Sequence, residues 1–205
     1  MTYPGIQQVI KRDYAETLIL VRQHMTDFNA LNEDREGYMV DTVPTELNRI
    51  MQDHPDLSKK NQIRSLWILG SAHKPVERRL SERGYVVTVS ENDHPIIEFQ
   101  HEAELLLQSG EWVPDELAGK VVIEMLFSRL FATEVDNICT TAAQEVQLKR
   151  KLINPLPGEI IERMYPYVWK AKSVDVIKKL LLDVFDMFGG RLPETTADFE
   201  AYINS

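Results

Sequence analysis

The sequence predicts a mainly α-helical fold, a helical bundle with one embedded β-hairpin. Apolar residues recur in steps of three and four over most of the 205 positions, the period of a helix face. Neither Gly nor Pro interrupts residues 120–154, which predicts a long central stretch of helix. Only residues 85–99 carry a different pattern. There two β-branched or aromatic runs, YVVTVS and IIEF, flank the turn-forming ENDHP.

Taken in order, residues 5–31 place Ile6, Val9, Ile10, Tyr14, Leu18, Val21, Met25, Phe28 and Leu31 on one helical face. The polar run NEDREG at 32–37 is expected to stop that helix, with an extended piece at 38–43 after it. A helix over 44–53 follows, with Thr42 as N-cap and Pro44 in its first turn, where a missing N–H costs nothing. Ser58 caps a helix at 59–69 that buries Ile63, Leu66 and Trp67. Beyond the Gly70-Ser71 turn, a helix at 74–83 buries Val76 and Leu80 and closes on Gly84. After the hairpin comes a short helix at 100–108.

From Pro114 the pattern is helical almost to Ile153, and VVIEMLFSRLF is apolar on nearly every side, as a central helix should be. The run NPLPG at 154–158 is the clearest break. Beyond it the chain predicts a helix at 159–171 interrupted at Pro166, an amphipathic helix at 173–188, and a last helix at 196–203. The last opens with the capping pattern Thr195-x-x-Asp198. This order divides the chain into residues 1–44 (long helix and connector), 45–108 (a module containing the hairpin) and 109–205 (a helical bundle that residues 1–44 could join).

Composition narrows the class. Hydrophobic content of 43% and charged content of 27% are ordinary for a globular chain. The single cysteine, Cys139, forbids an intrachain disulfide and suits a reducing, cytoplasmic setting. No apolar run approaches the ~20 residues needed to cross a bilayer, and the first residues lack a signal-peptide pattern. A net charge of −9 argues against general coating of nucleic acid. Charge is uneven, however: residues 57–84 hold seven basic and two acidic side chains, and residues 148–172 hold six and two.

Two helices, a Gly-Ser turn and a hairpin in succession resemble a winged-helix module in element order, over 45–50 residues and without a motif of fixed residues. The resemblance implies a recognition helix at 74–83. Arg78 and Arg79 would then meet base edges or phosphates, because a guanidinium bonds bidentately to guanine or phosphate oxygens. Lys59, Lys60, Arg64 and Lys74 would neutralise neighbouring phosphates. Glu91, Asp93 and Glu98 in the hairpin oppose that reading by repelling phosphate.

Other chemistry is thinner. Residues 66–90 also read as strand, turn, helix and strand, a small α+β unit with Glu91 or Asp93 about 20 residues past Gly70, as a ribose-binding acid stands in a dinucleotide fold. One glycine stands where that fingerprint needs three. Glu98-x-x-His101 has the spacing of di-iron bundle ligands, but no second copy exists. Ser71 and Cys139 lack the surroundings of a nucleophile. The mixed aromatic and basic run MYPYVWK at 164–170 could stack bases or pack on the bundle.

The expected protein is therefore a non-enzymatic accessory or regulatory one, with no cofactor, acting by contact. DNA or RNA would meet residues 57–84 through Lys59, Lys60, Arg64, Lys74, Arg78 and Arg79. Helical surfaces would take a protein partner or a second copy. The alternatives are an adaptor or inhibitor that touches protein only, and an enzyme with an unrecognised site.

Overall fold

The computed structural model describes residues 11, 13–59, 74–88 and 97–204, and among them it contains nine α-helices and no strand. The helices are α1 (Tyr14–Asp53), α2 (Lys74–Glu82), α3 (Phe99–Gln108), α4 (Asp115–Leu130), α5 (Ala132–Ile138), α6 (Ala142–Ile153), α7 (Gly158–Lys170), α8 (Val174–Met187) and α9 (Thr196–Ile203). A short 3-10 turn occupies Leu57–Lys59. The chain forms two units, residues 27–92 and the remainder, with the division falling inside α1.

In the larger unit the central helix is α4, which buries Leu117, Val121, Val122, Ile123, Leu126 and Phe127 on almost all sides. It packs against α3, α5, α6 and α7. Phe127 stacks on Phe131 at 5.0 Å and meets the edge of Phe185 at 6.0 Å, so one aromatic cluster joins α4 to α8. Gly119 allows the start of α1 to approach α4: a Cβ there would collide with the Tyr14 hydroxyl. The Tyr14 ring lies 5.2 Å from that of Tyr165. The Tyr165 hydroxyl donates to the Lys11 carbonyl at 2.6 Å and pairs with the buried Thr17 hydroxyl at 2.6 Å.

In the smaller unit α1 runs unbroken through NEDREG and Pro44. A continuous stripe explains why: Asn32, Glu36, Val40 and Val43 are buried, and Leu47 and Ile50 continue the steps of three and four half-buried. The expected stop at 32–37 and the extended piece at 38–43 are thus helix, because two polar side chains extend the buried face. Pro44 has no N–H to give Val40, and Arg83 serves that acceptor instead, its guanidinium donating to the Val40 carbonyl at 3.3 Å while pairing with Asp41. Arg79 donates to the Glu33 carbonyl at 3.1 Å.

The β-hairpin expected at 85–99, and with it the winged-helix-like module at 45–108 and the alternative small α+β unit, is overturned. Gly84 (φ +87°) ends α2, and residues 85–88 run on as coil with Val86 98% exposed. β-propensity describes fit to a half-buried pleated surface, and no strand among the described residues offers one. The other expected half fails as well, since Phe99 opens a helix. Its backbone N–H and that of Gln100 donate to the buried Glu124 carboxylate at 3.2 and 3.0 Å. Residues 89–96, and most of the helix expected at 59–69, lie outside the described residues.

The long helix expected over 114–153 is three helices. It breaks at Phe131 and again before Thr141, whose side chain accepts from the Gln144 N–H in a reciprocal capping box. Pro166 does not interrupt α7, and α8 and α9 open on their serine and threonine caps, Ser173 and Thr195.

Candidate functional site

The basic residues of 57–84 separate into different surroundings. Lys59 is exposed at the end of the 3-10 turn. Lys74 begins α2, while Lys60 and Arg64 lie outside the described residues. Arg78 points to solvent with Glu82 one turn on at 3.7 Å. Arg79, paired with Arg78 in the sequence reading, instead donates to α1, as does Arg83. The helix therefore presents one exposed arginine where two were expected, and Arg79 within it and Arg83 just beyond it hold α1.

Glu98 and His101 also have other work. Glu98 accepts from the buried Lys149 at 3.0 Å, and Glu145 accepts from the same ammonium at 2.7 Å. Burial pulls the Lys149 pKa down, but these two carboxylates outweigh it and the net shift is upward. Arg150 pairs with Glu102 at 2.8 Å and lies 3.7 Å over the Phe99 ring. His101 Nδ1 stands 3.6 Å from Glu104. Among the described residues no three His, Cys, Asp or Glu side chains gather as metal ligands would. The cluster joins α3 to α6 electrostatically, and only the Glu-x-x-His spacing pointed at it from the sequence.

Cys139 is half-buried beyond α5, where burial and then Glu145 push its thiol pKa up, away from the thiolate a nucleophile needs.

A groove of about 570 Å³ opens between α5, α8 and residues 190–194. Ile138, Leu182, Leu192 and Pro193 give it apolar walls, and Asp183, Asp186 and Glu194 add carboxylates. Its other charges are internally matched: Lys178 holds Glu134 at 2.6 Å, and Arg191 holds Asp198 through Nη1 and Nη2. The lysine's hydrogen bond lowers the Glu134 pKa.

The run 164–170 is divided by its helix. Met164, Tyr165 and Val168 turn into the core, whereas Tyr167 (67%) and Trp169 (47%) remain exposed. Across the short turn to α8, Val174 and Val176 are exposed too. Lys170, Lys172 and Lys179 are exposed close by in the sequence, with Asp175 the only acid between residues 163 and 179. Helical spacing in the sequence marks Tyr165 and Val168 as one face and Tyr167 as another, so this corner was half legible.

Among the described residues, no helix is long and apolar enough to cross a membrane. Comparison of the chain with protein-family models, with curated proteins and with solved structures gives no significant match.

Proposed function

We propose that this is a non-enzymatic accessory or regulatory protein of the cytoplasm that acts by contact, docking an acidic protein surface on the corner between α7 and α8. The observation that carries this reading is the exposure of Tyr167, Trp169, Val174 and Val176 among Lys170, Lys172 and Lys179. Apolar surface left in water forgoes about 25 cal/mol per Å², and tryptophan and tyrosine supply much of the energy where proteins meet. The lysines set the sign of the partner and speed its approach. A second reading is nucleic-acid contact through residues 57–84. The exposed Arg78 and Lys59 favour it, and the engagement of Arg79 and Arg83 with α1 leaves it the weaker of the two.

The test compares partner capture by the wild-type chain and by Tyr167→Ala/Trp169→Ala. Labelled duplex and single-stranded nucleic acids are titrated with salt in parallel. A protein held by the wild type, released by salt and lost in the double variant supports docking at the corner. Salt-dependent nucleic-acid binding abolished by Arg78→Ala, with the corner variant unaffected, replaces it with the second reading.

A further inference from the structure

The groove between α5, α8 and residues 190–194 is shaped by the chain itself. The Gly190 N–H donates to the Phe185 carbonyl at 2.8 Å, and a Cβ at Gly190 would stand 3.1 Å from Leu152. The N–H groups of Arg191 and Glu194 donate to the Tyr202 hydroxyl at 3.4 Å and to Asp198 at 3.0 Å. Residues 190–194 are thus pinned to α8 at one end and to α9 at the other. At about 570 Å³ the groove falls within the roughly 300–1,000 Å³ that small-molecule clefts occupy.

Its free chemistry is one-sided. Asp183 and Asp186, one turn apart on α8, and Glu194 are exposed, and among the described residues no cation pairs with them. Lys178 and Arg191 are taken by Glu134 and Asp198. Carboxylates only accept hydrogen bonds. A peptide would bring a carbonyl with every residue, and the groove's side chains offer it only the Asn137 amide as a donor not already engaged. Nor do the acids gather around one point: among the described residues no three His, Cys, Asp or Glu side chains converge as ligands of a metal ion. What matches spaced acceptors beside the half-buried Leu182 and Leu192 is a donor-only chain of cations separated by apolar links. We propose that the groove binds a linear polyamine, its ammonium groups on Asp183, Asp186 and Glu194 and its methylenes on Leu182 and Leu192. The net charge of −9 draws such a cation from a distance. The proposal goes beyond the contact reading and does not depend on it, because the corner between α7 and α8 takes no part.

Calorimetric titration of the full chain with spermidine tests it, at about 0.15 M salt, where attraction is screened beyond about 8 Å. Spermidine should bind at one site per chain. Hexaamminecobalt(III) carries the same charge without methylenes and should bind about tenfold more weakly, the worth of roughly two buried methylenes. Asp183→Asn/Asp186→Asn should weaken spermidine about fivefold. Asp34→Asn/Glu159→Gln removes as much charge from exposed positions outside the groove and should leave spermidine binding nearly unchanged. Circular dichroism confirms that these exposed replacements leave the helices intact. No binding of spermidine, equal binding of the two cations, or equal losses in the two double variants would each overturn the proposal. A tetralysine peptide held at this groove in place of spermidine would give the site to a protein segment and overturn it as well. Loss of partner capture in Tyr167→Ala/Trp169→Ala reads a different surface, so the two readings fail separately.

Discussion

Arg83 donates to the Val40 carbonyl, the acceptor that Pro44, one turn further along α1, has no N–H to serve. A proline inside a helix removes one backbone bond and crowds the carbonyl four residues back. Here a side chain from beyond α2 supplies the missing donor, so α1 continues where the sequence suggests a fresh start.

Arg83→Ala should cost about 1 kcal/mol, the ordinary worth of one hydrogen bond, and should speed hydrogen exchange in α1 around residues 40–48. Pro44→Ala restores a backbone N–H, so Arg83→Ala should cost less in that background. A double-mutant cycle by urea denaturation measures the coupling. Strictly additive losses would remove the substitution of one donor for the other.

Gly119→Ala should destabilise by roughly 1–3 kcal/mol, the usual cost of overpacking, because its Cβ meets the Tyr14 hydroxyl. Tyr14→Phe deletes that oxygen, so Gly119→Ala should be milder on top of it. Thermal melts of the four proteins decide the point.

Burial, followed by Glu162 and Asp115, pushes the Tyr14 phenol up to about 12. An unfolded tyrosine ionises near 10, so between about 10 and about 12 the unfolded chain holds fewer protons than the folded one. Stability must fall across that window as pH rises. Burial raises the Tyr165 and Tyr202 phenols too, so tyrosinate absorbance at 295 nm should show a late step that Tyr14→Phe makes smaller. A Tyr14→Phe titration that keeps the whole late step would show that Tyr14 is not among the raised phenols.

Glu124 is also raised, chiefly by burial, although the N–H groups of Gln100 and Phe99 favour its charged form. Its folded pKa lies above the unfolded one, so its contribution weakens as pH climbs from the ordinary glutamate range through the folded value. The stability of the wild type relative to Glu124→Gln should therefore decline as pH rises above the ordinary glutamate range in paired urea melts. A difference that grows over that rise would reverse the sign.

Much of the helical content was legible because apolar spacing reports a buried face directly. Val174–Met187 and Thr196–Ile203 follow their stripes and caps within a residue of expectation. What misled was polar. Asn32 and Glu36 continue the buried face of α1 under side chains that read as loop, and the Thr141–Gln144 box is hidden in a run of helix formers. YVVTVS has the composition of a strand without a partner to pair with among the described residues, and pairing is a property of two segments. The basic surface was overcounted for a related reason. Composition records that Arg79 and Arg83 are charged, and only the fold reveals that helix carbonyls receive them. The α7–α8 corner and the groove beside α8 depend on which residues the core leaves behind, so they follow from the packing.

Cys139 gives this chain an internal clock. Its thiol is the only one, it sits at the joint between α5 and α6, and its proton is held more tightly than usual. An alkylating reagent at neutral pH would therefore react slowly with the folded chain and faster whenever that joint opens, and the excess rate would record local breathing at one address. Cooperative unfolding and motion confined to the break in the central helical run would then be told apart by chemistry alone.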